Sequence, residues 1–98
     1  MINYNDFKLI LNTNLENLLL LLPNEFTSGL FIDKIKELLP CDYANILNGH
    51  SHRAFNSWVA RWYLQELSES GRIYKNNRKN TVITKNGFKS SNNIWCKQ

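Results

Sequence analysis

Apolar positions in the first part of the chain recur every three or four residues, at Phe7, Ile10, Leu11, Leu15, Leu18 and Leu22. That spacing predicts a helix over residues 6–22 with Asn5 as its cap and a break near residues 12–14. The stretch 18–22 is leucine on every side, so the rest of the fold or a second subunit must cover it. A second helix is expected after Thr27 or Ser28. It turns Phe31, Ile32, Ile35, Leu38 and Leu39 inward, leaves Asp33, Lys34, Lys36 and Glu37 wet, and stops before Pro40. Asp42 is placed to cap a short third helix that buries Tyr43, Ile46 and Leu47, with Gly49 at the left-handed position beyond its end. Ser51 then caps the longest helix, residues 52–70, whose buried face is Phe55, Trp58, Val59, Trp62, Tyr63 and Leu67 and whose stop is Gly71. Beyond Gly71 the periodicity gives way to short β-prone pieces at 73–74, 81–84 and 94–96, read as a twisted hairpin or three short strands.

Composition makes this one domain. With 98 residues, 43% of them hydrophobic and 12% aromatic, the chain can bury a core without disulfide or metal staples. Its two cysteines, Cys41 and Cys96, allow at most one bridge and are read as reduced thiols. Asparagine is abundant, at fifteen residues, yet it forms no repeat and no linker. The leucine run at 18–22 is far too short to span a bilayer, and residues 1–5 lack the basic region that opens a signal sequence. The expectation is a cytoplasmic protein with no membrane partner.

Charge divides the chain in two. Residues 1–52 hold three Lys or Arg against six Asp or Glu, a net of −3, whereas residues 53–98 hold nine against two, a net of +7. From Arg72 to Lys97 there are seven cations and no acid: Arg72, Lys75, Arg78, Lys79, Lys85, Lys89 and Lys97. A segment so charged seeks phosphate or an acidic surface, because its field concentrates anionic partners.

A short helix, a Gly-His-Ser turn and a longer capped helix describe a helix-turn-helix over residues 42–70, in which the second helix can enter a major groove. The segment that follows, from Leu67 through Gly71 to Ile73, resembles the end of a recognition helix and the start of a wing in the winged-helix superfamily. The resemblance covers residues 28–97 and implies a return strand at Ile94, Trp95 and Cys96. Against the common pattern, this chain has an additional leading helix and a long stretch, 76–93, between the presumed wing strands. The expected architecture is therefore mainly α with a small antiparallel β-ribbon. A leading helix (1–24) able to dimerise precedes a helical core (28–70) and a basic wing (72–97).

Winding the longest helix at about 3.6 residues per turn sets Arg53, Ser57 and Arg61 on one polar stripe, with Gln65 beside it and Asn56 nearer the apolar arc. Arginine can bridge O6 and N7 of guanine, serine can bond a base edge or a phosphate, and asparagine can pair with adenine, so Arg53, Ser57, Arg61 and Asn56 are the candidate base readers. The candidate phosphate contacts are His52, Gln65, Arg72, Lys75, Arg78, Lys79, Lys85 and Lys89, which would confer affinity and salt dependence without sequence choice. The reading is a sequence-specific binder of double-stranded DNA, as in a small transcriptional regulator or a mobile-element accessory protein. Its rivals are a protein-interaction module on the same scaffold and a binder of single strands or RNA, for which Trp58, Trp62 and Trp95 would be the stacking platforms. His50, His52, Cys41 and Cys96 lack the spacing of a zinc site, so no metal or cofactor is expected. No nucleophile with a partner, phosphate loop or close carboxylate pair suggests an enzyme.

Overall fold

The computed structural model describes residues 2–83 and 89–97, with side chains described for 2–75 and 94–97. The expected leading helix is two helices, α1 (Tyr4–Thr13) and α2 (Leu15–Leu21), parted at Asn14. The break falls where expected. The cap does not: Asn3, and not Asn5, accepts the Asp6 backbone N–H, at 2.8 Å through Oδ1. Phe7, Leu11, Leu15, Leu18 and Leu22 are buried, so the monomer itself encloses the two ends of the leucine run, while Leu19 is half-buried and Leu20 and Leu21 are exposed.

A strand that the sequence pattern does not announce, β1 (Glu25–Thr27), follows. Thr27 ends it and caps α3 (Ser28–Leu38), its Oγ1 accepting the Leu30 N–H at 3.2 Å. Phe31, Ile32 and Ile35 are buried, as their spacing requires. Helix α4 (Pro40–Leu47) begins three residues earlier than a cap at Asp42 would place it. Proline suits the first helical position, where its missing N–H would have no intrahelical partner, so Pro40 both ends α3 and opens α4. Asp42 lies instead within the first turn, favourable toward the positive end of the helix. Gly49 does not take the left-handed conformation; among the described residues only Gly71 does, with φ of 82°.

The long helix runs without a break from residue 52 to 69, but its middle turn is wider. It comprises α5 (His52–Trp58), a π-helical turn (Val59–Tyr63) in which the Leu64 N–H donates to the Val59 carbonyl five residues back, and α6 (Leu64–Glu69). It stops as expected at Gly71. The Gly71 N–H donates to the Ser68 carbonyl at 3.1 Å and the Arg72 N–H to the Leu67 carbonyl at 3.0 Å, the double closure that a left-handed residue permits. Strands β2 (Ile73–Ile83) and β3 (Lys89–Lys97) form an antiparallel ribbon, with an irregularity between Asn76 and Lys79. The β-prone pieces at 73–74 and 81–83 are thus one strand; Thr84 lies outside the described residues. β3 sits in the centre of the sheet, order β1-β3-β2, with Phe26 opposite Trp95 and Tyr74 opposite Cys96.

One core joins the acidic and basic halves. Phe7 meets Phe55 edge-on at 5.5 Å, and Phe31 lies between Phe26 and Tyr63, 6.0 Å from each. Trp95 closes the core from the sheet. The Tyr63 hydroxyl donates to Asn12 Oδ1 at 2.8 Å, tying the long helix to α1. Trp62 is the main departure from the expected core: it is 70% exposed, because the π turn carries the buried face on to Tyr63 and Leu64. Trp58 is half-buried. Among the described residues, no helix is long and apolar enough to cross a membrane.

Candidate nucleic-acid interface

The turn between α4 and α5 is built from residues 48–51. His50 Nδ1 lies 3.0 Å from the Ile46 carbonyl oxygen, which can only accept, so the ring donates and closes the end of α4. Ser51 Oγ accepts the Ala54 N–H at 3.1 Å and opens α5, as expected. Tyr4 braces the turn from α1, with its ring 4.3 Å from His50 and stacked 4.8 Å from Trp58. Burial raises the Tyr4 hydroxyl pKa above its ordinary value. Sequence reasoning missed this clamp, because Tyr4 precedes the apolar series it was reading. His50 is thereby a capping residue, whereas His52 is exposed.

The π turn changes the geometry of the outward face. Residues four apart drift by about 40° per step on a regular α-helix, so a stripe at 53, 57, 61 and 65 would wind away from the front. The wider turn at Val59–Tyr63 takes out most of that drift after Ser57. The same adjustment keeps Phe55, Val59, Tyr63 and Leu67, also four apart, buried together. Arg53, Arg61 and Gln65 are exposed and Ser57 is half-buried. Asn56, expected close to the apolar arc, is exposed as well and lies beside Arg53 in the first turns of the helix.

Charge grades along this face. From residue 52 to 61 it carries Arg53 and Arg61 and no carboxylate; Glu66 and Glu69 follow toward the far end. Glu66 is paired with Lys8 of α1 at 2.7 Å. Between α1 and this far end lies a groove of about 470 Å³, walled by Asn5, Lys8, Arg61, Trp62 and Glu69. The half of the helix suited to an anionic duplex is therefore the first half. Tyr63, behind it, is held in the neutral form: burial first, then the Glu66 carboxylate, raise its pKa well above the ordinary value, while the Arg72 guanidinium acts the other way.

The basic segment divides into two groups. Arg72, a candidate phosphate contact, forms an ion pair with Glu16 of α2. Lys97 points back into the fold, its Nζ donating to the Leu19 and Leu22 carbonyls at 3.1 and 2.8 Å, where it satisfies the end of α2. Lys75 is exposed, with its ammonium 5.8 Å from the Trp95 ring centroid. Arg78, Lys79 and Lys89 belong to the β2–β3 ribbon, but their side chains, and all of Lys85, lie outside the described residues. Cys41 is exposed and Cys96 buried, and the two are not joined in a disulfide. No known protein family, curated protein or solved structure matches this chain.

Proposed function

We propose that this chain is a winged helix-turn-helix protein that binds double-stranded DNA, with the first half of the long helix in the major groove and the β2–β3 ribbon against the phosphates. One observation carries the reading. A helix face bearing Arg53, Asn56, Ser57 and Arg61, free of carboxylate, is joined by a single glycine turn to an antiparallel ribbon within a segment of seven cations and no acid. Helix N-terminal residues are the ones that reach base edges in helix-turn-helix complexes, and a ribbon beside them supplies contacts that position without specifying. The short first strand lying beside the returning wing strand also supports the winged arrangement.

On this reading Arg53 and Asn56 read bases, Ser57 and Arg61 assist, and His52 and Gln65 flank them toward the backbone. Lys75, Arg78, Lys79, Lys85 and Lys89 meet phosphate. The work is done in the cytoplasm, as a small transcriptional regulator or mobile-element accessory, by two copies joined through the leading helices. A second reading, a protein-docking module, is favoured by Trp62, which stands 70% exposed beside two carboxylates, Glu66 and Glu69. Of the three tryptophans that could stack on single strands, Trp95 is buried, Trp58 half-buried and Trp62 exposed.

Selection from randomised duplexes separates these readings. The DNA-binding proposal expects enrichment of a short motif containing guanine, repeated with two-fold symmetry at a spacing of about one helical turn or a multiple of it. Recovery of no duplex above background at low salt contradicts it.

A further inference from the structure

Between α2 and one face of the sheet lies a second cleft, about 660 Å³, with Leu19, Leu20 and Tyr74 among its lining residues. Leu20 is 79% exposed, and the neighbouring Leu21 and Tyr74 are 45% and 49% exposed. The other leucines of this helix, Leu15 and Leu18, are already used by the monomer core. What remains is a projecting apolar side chain next to a hollow with an apolar wall.

We propose that this face receives a second copy of the same chain, with Leu20 of each copy entering the cleft of the other about a two-fold axis. A knob and a hole side by side on one surface are self-complementary under that symmetry, since each copy presents both parts. Charge identifies the occupant. Two carboxylates, Glu16 and Glu25, and two cations, Arg72 and Lys97, line the cleft together. The face has no net charge, with Arg72 paired to Glu16 and Lys97 held on the Leu19 and Leu22 carbonyls within the chain, so two identical faces do not repel. A phosphate-rich partner or an anionic lipid surface would instead meet Glu16 and Glu25. An apolar centre inside a polar, charge-balanced rim is also the ordinary anatomy of a subunit interface.

The interface stands without DNA; only its use, setting two reading helices on successive half-sites, rests on the DNA-binding reading. Sedimentation equilibrium of the full chain without nucleic acid tests it. The wild type should self-associate to a dimer in the micromolar range, and Leu20→Glu should weaken that association at least about ten-fold while the far-ultraviolet circular dichroism stays unchanged. If Leu20→Glu lowers the helical signal, Leu20→Ser carries the same expectation with a smaller perturbation. A wild type that is monomeric throughout the range overturns the proposal, as does a dimer that both folded variants leave intact. Leu20→Glu should still bind random duplex DNA, so loss of dimerisation and failure of DNA binding are read separately.

Discussion

Arg53 and Tyr63 stand on opposite sides of the same helix and carry two different tests. Arg53 is exposed, with its guanidinium on the face that holds no carboxylate. If it reads guanine through a bidentate contact, Arg53→Ala should lose roughly 1–3 kcal/mol on the selected site and much less on random duplex, measured by competition binding. Equal losses on both would make it a phosphate contact. Tyr63 is buried and donates to Asn12 Oδ1 at 2.8 Å. Tyr63→Phe should destabilise the fold by roughly 0.5–1.5 kcal/mol at neutral pH in urea titrations. The sign of its pH dependence follows from the raised pKa. The folded state keeps a proton that the unfolded chain releases near pH ~10, so the contribution is complete below that value and is lost as pH rises above it. The gap between wild type and Tyr63→Phe should therefore shrink above about pH 10. A gap that stays constant into that range would contradict the assignment.

The π turn is the element that most clearly links core and surface. One additional residue in the turn lets apolar positions four apart share a face, so removing one residue should return the segment to α-helix with the core face kept. Deletion of Ala60 is expected to leave cooperative thermal unfolding and to cost no more than about 1–2 kcal/mol, within the usual range for a single change. A chain that no longer unfolds cooperatively would show that the wide turn is required for the fold. The spacing of Phe55, Val59, Tyr63 and Leu67 at intervals of four was the signal for this turn. A template of 3.6 residues per turn assigns Trp62 to the core instead, which is why its exposure was not anticipated. Elements with strong local chemistry were legible: the Ser51 cap, the Gly71 stop and the break before Leu15; the return of 94–96 beside 73–74 was implied only by the winged-helix resemblance, since residue pattern alone left the strand pairing open. β1 was not, because Glu25, Phe26 and Thr27 are too short a run to alternate and only Phe26 is buried; pairing with β3, seventy residues on (roughly), defines it. For the candidate site, the helix stripe was legible from periodicity. The engagement of Arg72 by Glu16 and of Lys97 by the end of α2 depends on tertiary contacts that composition does not contain.

At the scale of the whole molecule, the acidic first half and the basic second half are joined, among the described residues, by the ion pairs of Lys8 with Glu66 and of Arg72 with Glu16. Both are solvent-accessible, so each contributes at most about 1 kcal/mol and their main effect is on where positive charge remains available. They draw Arg72 toward Glu16 and Glu66 toward Lys8, leaving residues 52–61 of the long helix with Arg53 and Arg61 and no carboxylate. On the proposed DNA-binding reading, Lys75, Arg78, Lys79, Lys85 and Lys89 make the non-specific phosphate contacts. The most direct test is fluorescence anisotropy of a labelled random duplex across a salt series. Five contacts predict a plot of log affinity against log salt with a slope of about −4 to −5, binding being tight at low salt and weak at physiological salt. Absence of binding at low salt, or binding indifferent to salt, would contradict the claim that this protein is a DNA-binding module.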